Sequence, residues 1–255
     1  MKKLKLLIGI IICGTILSQI NTLKAQELTA KEIIDKADKK NRGETSQGIM
    51  AMKIVRPDWE RTVEMKSWSK GDDFFLIYIT SPAKDKGQVF LKRKKEMWNW
   101  VPTIERMIKI PPSMMMQSWM GSDFTNDDLV KQSSILKDYT HTLLGEETIR
   151  DQACYKIELI PYPDSPVVWG KIISWITKEG FNLWRSEYYD EDEFLINIED
   201  AFDLKNFGDR ILPSRMEIIP ADEKDKKTVL MFKQMEFNKP IDDGFFTQQN
   251  MKRIR

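Results

Sequence analysis

His141 is the only imidazole in the chain, and Cys13 and Cys154 are its only thiols. Structural zinc sites take four Cys or His ligands, so most zinc chemistry is excluded. Any Ser-His-Asp or Cys-His catalysis would have to run through His141. That residue sits in the alternating run Asp138-Tyr139-Thr140-His141-Thr142-Leu143-Leu144, which reads as a strand with a solvent-side or hydrogen-bonded imidazole rather than a base. Asp123, Asp127 and Asp128 could offer oxygen ligands to a cation. Loop solvation and a helix cap explain them more simply, since Thr125 to Asp128 has the form of an N-cap with two carboxylates in the first turn. Lys92-Arg93-Lys94-Lys95 is expected to be a solvated hairpin turn, with a patch for anionic lipid heads or an acidic partner as the alternative. Glu187 to Glu193 is expected to be another turn. No glycine spacing fits a phosphate-binding loop, and a net charge of +1 gives no general attraction to nucleic acid.

Something must position whatever this chain does, and its composition points to a packed core. Of its 255 residues 41% are hydrophobic and 10% aromatic, far more burial capacity than a solvated coil has. The start reads as an address. Lys2, Lys3 and Lys5 precede the uncharged stretch Leu6 to Leu17, and Ala25 stands at a cleavage position. This is the pattern of a secretory signal peptide over residues 1–25. The rival reading, a retained anchor, is weakened by Ser18, Gln19, Asn21 and Thr22 in its second half. Cys13 lacks the small residue before it that a lipid-modified cysteine normally follows. Cleavage removes four lysines and leaves 36 cations against 39 carboxylates, a net charge of −3. Cys154 then has no partner for an internal disulfide and is expected to be a small buried hydrophobe.

Residues 26–255 are expected to form one domain. Thr29 and Glu32 fit a capping box that starts a helix over 30–41. From Gly48 onward the chain breaks into β-branched and aromatic runs separated by turn signals. The predicted strands are 48–56, 61–70, 73–80, 87–92, 96–101 and 105–110, then 136–145, 149–160, 169–178, 181–190, 193–203, 210–219 and 227–238. Spacings of roughly 10–12 residues suit antiparallel hairpins and not βαβ units. The runs 74–79 and 171–176 are apolar on both faces, as expected of strands covered on both sides. Few helices are available as cover: 30–41, something around 112–132, and a tail near 243–252. On these runs alone the inner face reads as packed core, and an apolar cavity is the alternative.

The break between the two sets of strands holds Met114, Met115, Met116, Trp119 and Met120 within seven residues. Methionine fills irregular space and adapts to changing shapes. The segment is therefore either gap-filling core or an adaptable lid. Pro111-Pro112 ends the preceding strand.

Three pieces carry a resemblance: Met97-Trp98-Asn99-Trp100-Val101-Pro102, then Arg106-Met107-Ile108-Lys109-Ile110, then Trp119-Met120-Gly121-Ser122-Asp123-Phe124 with Asp127-Asp128-Leu129. Together they resemble the exported outer membrane lipoprotein-sorting protein family, whose members resemble the periplasmic lipoprotein carrier LolA in fold. The resemblance implies a mainly β, α+β architecture: one incurved antiparallel sheet, a half-barrel, with a few helices covering its concave face. It implies a cavity for an acyl chain or another lipid, and relatives are often associated with export pumps of the resistance-nodulation-division type. On that basis the expected lipid-binding residues are Trp98, Trp100, Met114, Met115, Met116, Trp119, Met120 and Phe124. Arg106, Gly121, Ser122, Asp123 and Asp128 are the motif residues. The expected function is a monomeric periplasmic carrier of a lipid or acylated lipoprotein, without cofactor, metal, nucleic acid or catalysis. A ligand- or peptide-sensing regulatory module with the same fold is the alternative.

Overall fold

The computed structural model describes residues 27–255 except 132, 133, 164, 166 and 224. The expected signal peptide, with Cys13, lies outside the described residues. Among those residues no helix is long and apolar enough to cross a membrane.

The chain opens on α1 (Ala30–Arg42). The Thr29 hydroxyl accepts from the Glu32 amide, and the Glu32 carboxylate accepts from the Thr29 amide at 2.8 Å. This is the expected capping box. Lys39, Lys40 and Arg42 place positive charge at the C-terminal end, where the helix dipole favours it.

Among the described residues thirteen strands follow: β1 (Thr45–Arg56), β2 (Trp59–Lys70), β3 (Phe74–Ser81), β4 (Val89–Arg93), β5 (Glu96–Val101), β6 (Arg106–Lys109), β7 (Tyr139–Ile149), β8 (Gln152–Pro161), β9 (Lys171–Thr177), β10 (Leu183–Tyr189), β11 (Leu195–Asn206), β12 (Ile211–Pro220) and β13 (Lys227–Phe237). They form a single sheet in the order β6-β5-β4-β3-β2-β1-β13-β12-β11-β10-β9-β8-β7, each neighbour antiparallel. The first and last strands thus meet at the centre, where Met50 opposes Phe232 and Met52 opposes Leu230. Strands β6 and β7 are the two edges. The sheet curls into an open half-barrel. The segment 110–138 carries the chain from one edge to the other.

Both faces of this sheet are covered, which explains the strands without a polar side. On the concave face, α1 packs Ile33, Ile34 and Ala37 over Ile157, Leu159, Ile172 and Ile176 of β8 and β9. Trp119 and Ile110 pack over Met52, Val63, Ile79, Phe90 and Met97 at the other wing. On the convex face the tail, with α3 (Gln248–Met251), lays Phe246 and Met251 against Leu76, Tyr78, Val89 and Leu91. Consecutive residues of β3 therefore enter different cores, because side chains alternate across a strand.

The segment around 112–132 is less helical than expected. It contains short 3-10 turns at Pro112–Met114 and Trp119–Gly121, and only then α2 (Asn126–Lys131). The run 187–193 also differs, since Glu187 to Tyr189 belong to β10 and the turn comes after them.

Candidate functional site: a cavity under the half-barrel

Between the ground covered by α1 and that covered by Trp119 lies an internal space of about 380 Å³. Ligand sites typically run ~300–1,000 Å³. Its floor is the central part of the sheet: Met50 of β1, Met65 of β2, Leu230, Phe232 and Met235 of β13, and Met216 and Ile218 of β12. Its walls are Ile34 and Ala37 of α1 and Trp119 and Phe124 of the crossing segment. The lining is mainly apolar, with charged groups at particular places.

The crossing segment is held by its own backbone. The Trp119 amide donates to the Phe124 carbonyl at 2.7 Å, and the Asn126 amide donates to Gln117 at 3.0 Å. The Ser122 hydroxyl donates to the Trp119 carbonyl at 2.7 Å. Met120 and Gly121 both have positive φ, 53° and 77°, and glycine takes such a bend at no steric cost. Asp123 ties the loop to the sheet. It accepts from Arg56 at 3.0 Å and from the Thr228 hydroxyl at 2.7 Å, and its amide donates to the same hydroxyl at 2.9 Å. Arg56 also reaches the Gly121 carbonyl at 2.9 Å, and Arg61 reaches the Met120 carbonyl. The Gly121-Ser122-Asp123 motif is thus the clamp that seats Trp119 on the sheet. Trp119 meets Phe90 edge-on at 5.4 Å, a favoured aromatic geometry.

The expected lipid-binding residues divide accordingly. Trp119 and Phe124 line the cavity, as do Asp123 and Asp128 of the motif. Met114, Met115 and Met120 are half-buried against the core under Trp119, away from the cavity lining, and Met116 is 57% exposed. Trp98 and Trp100 lie on the other face of the sheet, packed with the C-terminal tail. Their neighbour Met97 is the residue of β5 that points to the concave side. Arg106 is exposed on the edge strand β6.

Several residues of the cavity wall lie outside the motif. Lys92, expected in a solvated turn, is 6% exposed and faces inward from β4. Burial pushes its ammonium down to about 8, assisted by the Arg42 charge. On the opposite wall Glu199 of β11 is buried and accepts from the Tyr188 hydroxyl at 3.0 Å. Burial raises its carboxyl to about 7, and Asp128 and Asp200 add to the shift. Asp128 is held above its ordinary range by burial, although the Thr125 amide donates to it at 2.7 Å. Asp123 therefore acts as loop clamp and Asp128 as helix cap, with Asp127 in the first turn of α2, and among the described residues no group of three His, Cys, Asp or Glu could hold a metal ion. His141 donates from Nε2 to the Ile135 carbonyl at 2.9 Å. Cys154 is fully buried and its thiol is pushed up to about 11, so it stays protonated.

The Glu199 shift has a testable sign. The folded protein keeps this proton up to about pH 7, whereas the unfolded chain releases it near 4.5. The folded state binds the extra proton in that window, so this group's contribution to stability falls as pH rises through it. Glu199→Gln should gain stability relative to wild type from pH 4.5 to pH 7, by on the order of 2 kcal/mol in all. Melting curves of both proteins across this range check it. A difference that stays constant with pH would show that Glu199 is already ionised.

Comparison with known proteins agrees with this architecture. A DUF1329 family protein from Desulfovibrio piger superposes with a TM-score of 0.79 at 22% identity, covering 87% of this chain and 97% of that one. A LolA superfamily protein from Nitrosomonas europaea gives 0.74 at 24% identity, over 88% and 100%. A putative outer membrane lipoprotein-sorting protein domain from Vibrio parahaemolyticus gives 0.76 at 21% identity, over 88% and 98%. No curated protein matches the chain. The half-barrel is thus a LolA-like fold. A family model described as "Uncharacterized protein" matches residues 71–253, the greater part of the chain, and the chain belongs to that family.

Proposed function

We propose that this protein is a non-catalytic carrier that shields a lipid, or the acyl chain of a lipoprotein, in the cavity of its half-barrel. The observation that supports it best is the cavity itself: about 380 Å³ between two separate covers, floored by Met, Leu, Ile and Phe side chains. The solved structures of the same fold include proteins described as LolA superfamily and lipoprotein-sorting, which suits this reading. Roughly 14 methylenes at ~0.8 kcal/mol each make about 11 kcal/mol of aversion to water. An unassisted acyl chain therefore crosses an aqueous compartment slowly, and an apolar cavity offsets most of that barrier. Residues 1–25 act as a cleaved export signal in this reading, and the mature protein works in the periplasm. Release then falls to a membrane partner or acceptor, such as an export pump of the resistance-nodulation-division type.

The reading predicts saturable, one-to-one binding of a fluorescent fatty acid by delipidated protein. An unlabelled fatty acid should compete with the probe. Absence of saturable binding would leave the cavity without its proposed cargo and favour a packing defect tolerated by the fold.

A further inference from the structure

The polar groups of the cavity are not scattered, and their arrangement says how a ligand would lie. Strand register lines up three rows across the concave face. The outermost row runs Lys92, Phe75, Ser69, Ser46, Phe237 through β4, β3, β2, β1 and β13, and all five residues line the cavity. Ser46 and Ser69 share a hydroxyl–hydroxyl bond of 2.7 Å. The next row places Ile77, Ser67, Gly48 and Met235 side by side, and the row beyond it Met65, Met50 and Phe232. Polarity is thus concentrated in the first row and has gone by the third.

Lys92 is the only cation in these rows, and it lacks a counter-charge at contact. Among the described residues no carboxylate lies within ion-pair distance of it. The carboxylates nearby are engaged or solvated. Asp72 is shared by Arg42 and Lys137, Asp38 is taken by Arg42, and Asp73 is exposed in the turn before β3. Lys92 is 6% exposed as a residue and lines the cavity, and an ammonium held in such a place is costly to keep without an anion beside it. On the far wall stand Glu199 and Asp128, with Asp127 close by. These carboxyl groups offer a ligand anion no positive partner, whereas Lys92 does.

We infer that Lys92 anchors the anionic head of a single-chain amphiphile, a carboxylate or phosphate oxyanion, whose tail runs inward over the Met65–Met50–Phe232 row. The bonded Ser46–Ser69 pair keeps one hydroxyl proton to donate beside the head, and the carboxyl groups of the opposite wall offer an anion no such partner. The inference rests on the reading of the cavity as an acyl-chain site and adds the chemical class of the ligand. It distinguishes free fatty acids and lysophospholipid-like anions from neutral glycerides, which would leave Lys92 buried and unpaired.

The test uses delipidated full-length protein with cis-parinaric acid and its methyl ester, which share a tail and differ only in the charge. A charge-assisted bond in a desolvated site predicts about tenfold tighter binding of the acid. Lys92→Gln should remove that preference, weakening the acid about tenfold and leaving the ester within about twofold, while Lys92→Arg should retain it. Sodium acetate should not displace the probe, because a free anion lacks the tail. Melting temperature of each variant controls for folding, and removing an unpaired buried ammonium should not lower it. Equal binding of acid and ester by the wild type, or equal weakening of both by Lys92→Gln, overturns the role of Lys92 while leaving the acyl-chain site standing. Displacement by acetate alone would make Lys92 a site for free anions and overturn the amphiphile. Failure of both probes to bind wild type overturns the inference together with the reading beneath it.

Discussion

Trp119→Ala is expected to destabilise the protein by about 3–5 kcal/mol and to lower its melting temperature by on the order of 10 °C. Trp119 is 4% exposed, caps the core built on Met52, Val63, Ile79 and Met97, and forms one wall of the cavity. Its removal takes away the plug that the Arg56–Asp123 pair and the Ser122 hydroxyl hold in place. The neighbouring methionines should behave differently from one another. Met114→Ala and Met115→Ala, both half-buried in the same core, should each cost less than the ~2–5 kcal/mol of a fully buried methionine. Met116→Ala should change almost nothing, since that side chain is 57% exposed. Thermal melts of the four single variants give this ranking. A harmless Trp119→Ala would mean that the segment is a loose lid instead of a plug.

Filling the cavity should separate binding from stability. Met216 and Leu230 are half-buried, line the cavity, and oppose each other across β12 and β13 at the centre of the sheet. Met216→Trp and Leu230→Trp place a larger ring into empty space, so they avoid the overpacking that a closed core would suffer. Each is expected to weaken binding of a fluorescent fatty acid about tenfold or more while leaving the melting temperature within a few degrees. Unchanged affinity in both variants would put the probe elsewhere on the molecule.

Much of this architecture is legible in the residues. All thirteen strands can be placed because turn signals punctuate β-branched and aromatic runs, and the Thr29–Glu32 capping box marks the start of α1. What a strand pattern does not show is which of two buried faces points inward. Trp98 and Trp100 read as cavity residues, yet the C-terminal Phe246 and Met251 cover their side of the sheet and Met97 turns to the concave one. The same parity hid Lys92. Within Lys92-Arg93-Lys94-Lys95 only its two-residue spacing from Phe90 separates it from the exposed residues that follow. Glu199 and Tyr188 meet diagonally across the β10–β11 hairpin, but strand parity alone does not show that their face is the one turned to the cavity. The Met-rich segment, expected to be helical, is instead mostly turns closed by backbone bonds such as Trp119 to Phe124 and Asn126 to Gln117. These leave little periodic trace.

Native mass spectrometry of protein purified from its own host's envelope shows whether the cavity carries an acyl chain. The expected species is heavier than the bare polypeptide by the mass of one lipid. Organic extraction should release that lipid, and chromatography should identify it as a single-chain or acylated amphiphile. Bare polypeptide as the sole species under gentle ionisation, from a preparation that never met detergent and takes up no fatty acid, would contradict it.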